Sequence, residues 1–365
     1  MPRAVSPDRR SLKVQAWPEL DQELWARALE PADPLDEEVG YATRWKEVTL
    51  RGIEHGYGSW LNWLTLAGEL DPDIHPVERA TRERVRAYDA TLKAQGLADY
   101  TRAQRLQGLA NSLKAMRPGA AVQWIQLASS RIHGHAKPVR DVIKVLQPVE
   151  DVEKLGLDMM YAADHDRFRT DSERAVLYRD GLLIAFLTHR PVRLKNLTAI
   201  TIGRHLFRRG DEWRLEFTQA ETKGGDAIRG PWPACLVEAL DHYLKKHRPV
   251  LLRGDKSKTP SEGLWIGLGG QPMGRDAIGF QIRGRTEEEF GTPINPHAFR
   301  SIAATTIATV EPENVQAAST LLGHHSSRVT EKHYNRAKMI DAGDRYHTVF
   351  ETERRKPSQR GRGRA

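Results

Sequence analysis

The spacing of hydrophobic and polar positions changes twice along the chain. Over residues 1–40 Pro, Asp, Glu and Arg are mixed without a period, which predicts an irregular lead-in. From about Trp45 to about Arg131 apolar residues recur every three or four positions, with Arg and Lys on the faces between. That is the period of amphipathic helices. "SWLNWLTLAG" (59–68) sets Trp and Leu at this spacing. "HPVERATRERVRAYDATLKAQG" (75–96) opens on a first-turn proline and stops at Gly96, which predicts one helix. "ADYTRAQRLQGLANSLKAM" and "AAVQWIQLASSRI" continue the pattern. Residues 41–132 therefore read as a small helical bundle with a basic exterior. "HGHAKPVRDVIKVLQPVED" (133–151) has two prolines and few apolar clusters, so 133–150 reads as a linker.

A second domain is expected over 151–349. "TDSERAVLYRDGLLIAFLTH" (170–189) offers Thr170 or Asp171 as N-cap, and Glu173 can complete a capping box from Thr170. The period then shortens. "LTAITIGRHLF", "EWRLEFTQAE" and "AIRGPW" are β-rich runs broken by "RRGD" and "KGGD", which predicts a small antiparallel sheet. "PACLVEALDHYLKKH" (233–247) returns to helix. The expected fold is mainly α with a small antiparallel β-sheet, in two domains. The tail "RRKPSQRGRGRA" lacks acidic residues, and 350–365 is expected to be disordered alone.

Composition narrows the class. A length of 365 residues suits two domains, and 39% hydrophobic with 28% charged residues suits a folded, soluble protein. The longest apolar run, "GLLIAFL" (181–187), is far short of the roughly 20 residues that a membrane span needs. The first residues, "MPRAVSPDRRSLKV", are basic without an apolar stretch and predict no secretory leader. The one cysteine, Cys235, excludes an intramolecular disulfide, fits a reducing compartment, and is expected on a buried helix face. A formal charge of +8 favours a polyanionic partner.

The candidate chemistry is spread from 193 to 334. "HAFR" spaces His297 and Arg300 by three, so a helix would carry both on one face. Pro296 suits the first turn, which would put the pair near a helix N-terminus, where backbone N–H groups favour an anion. "LLGHHSSRVTEKHY" packs Leu321 and Leu322, turns at Gly323 and exposes His324 or His325. Ser326, Ser327 or Thr330 can then cap a short helix carrying Tyr334. Arg193 follows an apolar helix, with Arg190 a rival for the same role across Pro191. Lys223 stands at the tip of the predicted hairpin. Taken singly, each has a plainer reading as a solvated basic group, a turn lysine or a half-buried tyrosine.

Taken in order, "RLKNLTAI" (193–200), "TKGG" (222–225), "HAFRSIAATTIA" (297–308) and "LLGHHSSRVTEKHY" (321–334) resemble the tyrosine recombinase family, the phage-integrase-type site-specific recombinases. The resemblance covers the second domain; in the first it rests on the helical bundle, similar to the family's core-binding domain. It implies that Arg193 and Arg300 hold the scissile phosphate of DNA. Lys223 would protonate the leaving 5′ oxygen, His297 and His324 would add phosphate contacts and acid–base support, and Tyr334 would be the nucleophile. The types suit the chemistry: forked guanidinium groups match a phosphate that gains charge, and a phenol with a pKa of about 10 needs positive neighbours to react. The expected product is a 3′-phosphotyrosine, so religation needs neither ATP nor a metal.

The resemblance also implies a clamp around double-stranded DNA with inverted-repeat core sites and a homo-oligomer, a tetramer when synapsed. Accessory DNA-bending or directionality proteins, a cytoplasmic, nucleoid-associated location and service to a mobile element fit the same reading. The segment 335–351 would dock on a neighbouring protomer or on its own domain. No cofactor and no metal are expected; "HGH" (133–135) with His324, His325 and His333 lacks the carboxylate or thiol spacing of a metal site. Two positions depart from the family pattern: Ser301 where a second histidine is common, and Asn196 where an acidic residue is common. A type IB topoisomerase-like enzyme or a DNA-binding regulator with a vestigial site are the alternatives. The separate bundle argues against the first and the complete residue set against the second. Tyr161, Tyr178, Tyr243 and Tyr346 do not follow the Gly-His turn and are poor rival nucleophiles.

Overall fold

The structure, a computed structural model, describes residues 6–31, 40–136, 147–222, 225–254 and 261–310, with only the backbone described at 308–310. It contains two compact units, Met1–Arg140 and Asp141–Ala365. Among the described residues no helix is long and apolar enough to cross a membrane.

The first unit is helical: α1 (Glu19–Leu29), α2 (Glu47–Ala67), α3 (Pro76–Arg79), α4 (Arg82–Ala94), α5 (Asp99–Met116) and α6 (Gln123–His135). The irregular lead-in expected over 1–40 is corrected by α1, whose Trp25 and Ala28 belong to the unit's core together with Trp17. The charged composition misled because one of its charges is internal. Asp21 and Arg79 are both 0% exposed and form a two-pronged ion pair. The Tyr57 hydroxyl donates to the same carboxylate at 2.6 Å, and Arg79 Nε donates to the Ile74 carbonyl at 2.8 Å. Burial and the Asp21 charge push the Tyr57 phenol well above its ordinary value. The single helix expected over 75–96 is two helices. Arg79 ends α3 facing Asp21, and Thr81 then caps α4, its hydroxyl accepting from the Arg84 N–H at 3.3 Å.

Helices α2 and α5 cross at facing glycines. A Cβ on Gly56 would lie 2.9 Å from Gly108 Cα, closer than side-chain carbons approach backbone.

The second unit is built on α7 (Val149–His165) and α8 (Asp171–His189). Thr170 is the N-cap of α8, and its capping box with Glu173 is complete. The apolar run 181–187 is fully buried and forms the middle of the unit's core. Here too the helices meet at glycines: a Cβ on Gly156 would lie 2.7 Å from the Gly181 carbonyl oxygen. A six-residue helix α9 (Leu194–Ala199) leads to a three-stranded antiparallel sheet in the order β1 (Leu206–Arg209), β2 (Glu212–Phe217), β3 (Ile228–Pro231). Leu206 faces Leu215, Phe217 faces Ile228, and Gly210 turns the first hairpin at φ 63°. Then come α10 (Val237–His242), a π turn (Tyr243–His247), α11 (Arg248–Leu252), α12 (Arg275–Phe290) and α13 (Ala298–Val310). Cys235, expected on a buried helix face, is exposed on the 3-10 turn Ala234–Leu236. In that turn Leu236, and not the thiol, points inward.

The glycine crossing sets a sign test. Gly156→Ala should destabilise the second unit by about 1–3 kcal/mol through overpacking against backbone. Gly284→Ala, in α12 with open space around it, should be neutral or stabilising by up to about 1 kcal/mol. Denaturant unfolding of the two variants checks this; equal effects would mean that α7 and α8 do not meet there.

Candidate active site

The segment after α8 is short and stiff. Arg190 turns back onto the sheet edge, donating from Nη1 to the Pro231 carbonyl at 2.7 Å and from Nη2 to the Arg229 carbonyl at 3.1 Å. It thereby serves β3. Pro191 presents its carbonyl, and Arg193 becomes the N-cap of α9. The two arginines have different neighbours. Arg300 Nη1 donates to the Pro191 carbonyl at 2.8 Å, and the Arg193 charge is felt at Arg300. Arg300 is 5% exposed; burial first, and Arg193 second, bring its pKa down to about 10. An arginine remains protonated at neutral pH even so. Keeping the cation there is therefore a cost carried by the folded protein. An anion between the two guanidinium groups would relieve it.

The first turn of α13 is held by Asn295, whose Oδ1 accepts from the His297 N–H at 3.0 Å and the Ala298 N–H at 3.1 Å. That cap fixes His297 at the mouth of the helix, exposed, and Arg300 one turn on, buried. The sequence signal for it, an Asn just before a proline at a helix start, was available but unused.

Helix α9 also meets the base of the connection between β2 and β3. Asn196, 1% exposed, donates from Nδ2 to the Glu221 carbonyl at 3.3 Å. Its Oδ1 is buried with no hydrogen-bond partner among the described residues. Glu221 is the hub of that base. Its carboxylate accepts from the Thr218 N–H and hydroxyl at 2.8 and 2.9 Å, from Arg204 at 2.6 Å and from His205 Nε2 at 3.0 Å. His205 Nδ1 accepts from the Thr201 N–H, so Nε2 carries the proton given to Glu221. These bonds, the Thr218 N–H foremost, hold the Glu221 carboxyl down at about 2. Thr218 and Glu221 have the spacing of a capping box and could have been found in the sequence; His205 carries no such signal. Lys223 follows two positions later and lies outside the described residues, as do His324 and Tyr334. Among the rival phenols, Tyr178 and Tyr243 donate to the Ala239 and Leu264 carbonyls at 3.2 and 3.1 Å, and burial raises both. Tyr161 is exposed and stacked on His165 at 4.0 Å, and Tyr346 lies outside the described residues.

The first unit carries a groove of about 300 Å³ between α2 and α5. Gln104, Gln107 and Asn111 line it at helical spacing, with Arg105 beside them. Arg105 Nη2 lies 2.8 Å from His55 Nε2. The guanidinium can only donate, so Nε2 accepts and the proton sits on Nδ1. Burial and the Arg105 charge accordingly lower the His55 pKa.

The chain is similar to known proteins of one family. The family model described as "Phage integrase family" matches residues 159–340, about half of the chain. Tyrosine recombinase XerD of Staphylococcus aureus is 25% identical over 214 residues, 58% of this chain and 64% of its own length. The chain thus spans a little under two thirds of those relatives. Tyrosine recombinase XerC of Natranaerobius thermophilus is 21% identical over 278 residues, 75% of this chain and 85% of its own. Among solved structures, the Tn1549 transposon integrase, determined in complex with transposon right end DNA, shares the fold at a TM-score of 0.54 and 15% identity. That match covers 88% of this chain and 98% of the other. The XerH recombinase bound to its difH substrate matches at 0.51 and 15%, over 82% and 78%. Through residues 159–340 the chain belongs to the phage integrase family, the tyrosine recombinases.

Proposed function

We propose that the protein is a site-specific DNA recombinase that cuts and rejoins duplex DNA through a 3′-phosphotyrosine on Tyr334. The observation that carries the proposal is the pairing of Arg193 with the buried Arg300, one turn beyond His297. A phosphodiester under attack gains charge on its non-bridging oxygens, and two forked, permanently charged groups fit that need. Tyr334 attacks the phosphorus in line. His297 and His324 add donors to the phosphate and take part in proton movement. Lys223, on the loop whose base is Glu221, gives the leaving 5′ oxygen its proton. The phosphotyrosine keeps the free energy of the broken bond, so the reverse attack by a 5′ hydroxyl reseals the strand.

The groove of the first unit supports recognition of duplex DNA. Asn and Gln side chains pair with adenine edges and Arg with guanine in the major groove. The Gln104, Gln107 and Asn111 stripe with Arg105 offers those types along one helix face. Both units would then clamp one duplex, with inverted-repeat core sites each taking one protomer and a tetramer forming at synapsis. The DNA complexes of the Tn1549 integrase and XerH, and the net charge of +8, support duplex DNA as the partner. Work on DNA in the cytoplasm on behalf of a mobile element is the setting that this reading favours.

On a nicked suicide substrate the wild-type protein should accumulate a detergent-resistant DNA adduct. Tyr334→Phe should bind the same DNA with unchanged affinity and form none. An adduct from the Phe variant would place the nucleophile elsewhere. Arg300→Met should lower cleavage by about 100-fold or more while leaving DNA affinity within several-fold. Because it removes a buried like charge, its thermal midpoint should stay level or rise by a few degrees. A midpoint that falls sharply would make Arg300 a structural strut and not a phosphate ligand.

A further inference from the structure

Three side chains from three separate elements meet at the end of α8. Glu153 stands on α7, His189 closes α8, and Cys235 lies on the turn after β3. His189 Nε2 is 2.7 Å from Glu153 Oε1 and 3.5 Å from Cys235 Sγ. One ligand-type atom of each lies within 4.8 Å of the others. The His189 and Glu153 side chains are 31% and 34% exposed, and Cys235 is exposed. His189 and Cys235 also border an open basin of about 1000 Å³.

Two chemistries use a thiol, an imidazole and a carboxylate. A nucleophilic relay sets the thiol on one ring nitrogen and the carboxylate on the other, so that the proton crosses the ring. Here both partners approach Nε2, and Sγ is farther from Nδ1, at 4.0 Å. Convergence of sulfur, nitrogen and oxygen on one point is instead what a metal ion requires. We propose that Glu153, His189 and Cys235 form a Zn²⁺ site, with water as the fourth ligand from the open basin. Zinc takes these three donor types at about 2.0–2.3 Å in a tetrahedron. That geometry separates S from N by about 3.5 Å and N from O by about 3.3 Å. The sulfur is already at that span; the carboxylate must retreat by about half an ångström, giving up its hydrogen bond to the ring as the metal replaces it. The thiolate and imidazole disfavour Mg²⁺ and Ca²⁺, which take oxygen. Burial and the Glu153 charge hold the Cys235 thiol above its ordinary value, so binding releases its proton.

The ion would act as a structural tie. From His189 the chain runs directly to Arg190, which grips the β3 carbonyls, and to Pro191, whose carbonyl holds Arg300. Zinc would therefore lock α7, the end of α8 and the turn after β3 behind that segment. The site is independent of the recombinase reading and touches no group assigned to the reaction.

Cys235 is the only cysteine, so any thiolate–metal signal must come from it. Titration of the tag-free, metal-stripped full chain with Co²⁺ should give one equivalent of binding and a near-ultraviolet thiolate-to-cobalt charge-transfer band, which Zn²⁺ displaces. Cys235→Ser should abolish the band, and Cys235→Ser and His189→Ala should each weaken Zn²⁺ binding tenfold or more. The metal-free melting of Cys235→Ser should match the wild type, and only the wild type should gain stability with Zn²⁺. Absence of the band at saturating Co²⁺, or Zn²⁺ affinity unchanged in both variants, overturns the site.

Discussion

The second unit is organised around an electrostatic conflict, two guanidinium groups held close with one of them buried. Folding alone does not favour such a pair. Arg300 donates to the Pro191 carbonyl, and Arg193 stands at the start of α9. Burial first, and the Arg193 charge second, lower the Arg300 pKa to about 10. Under the proposed function, a phosphate would bring both cations an anion to meet. In that reading the folded protein carries a cost that a bound phosphate would reduce, the usual position of a preorganised site.

Holding that conflict needs a rigid frame, and the helices supply it by close approach. In each unit the central pair meets where two glycines face one another, Gly56 with Gly108 and Gly156 with Gly181. The second crossing anchors α8, whose residues 181–187 are wholly buried. The chain that leaves α8 is fixed at once by Arg190 on β3, so Pro191 and Arg193 have little freedom. The Glu221 hub does the same for the base of the Lys223 loop, and Asn196 joins it to α9.

Much of this was legible in the sequence because its signals are local. The capping box at Thr170, the apolar run of α8 and the short β runs are all read from neighbours along the chain. The failures came from partners distant in sequence. Asp21 looked like part of a solvated lead-in until Arg79, 58 residues on, was seen to neutralise it. The same ion pair sits where the helix expected over 75–96 breaks. Arg190 and Arg193 look alike along the chain, and only the fold gives Arg190 the β3 carbonyls as partners. Cys235 was assigned inward by its type, whereas Leu236 takes the buried place in that turn. At the site, Arg193, His297 and Arg300 are described, while Lys223, His324 and Tyr334 lie outside the described residues.

The most direct measurement removes the charge from the other side. A substrate whose scissile phosphate is replaced by a methylphosphonate has lost the non-bridging negative charge that the two arginines are held to meet. If that is their task, the wild type should prefer the phosphodiester, and the Arg300→Met variant should lose that preference or favour the neutral analogue. An equal penalty for the analogue in both proteins would contradict the account.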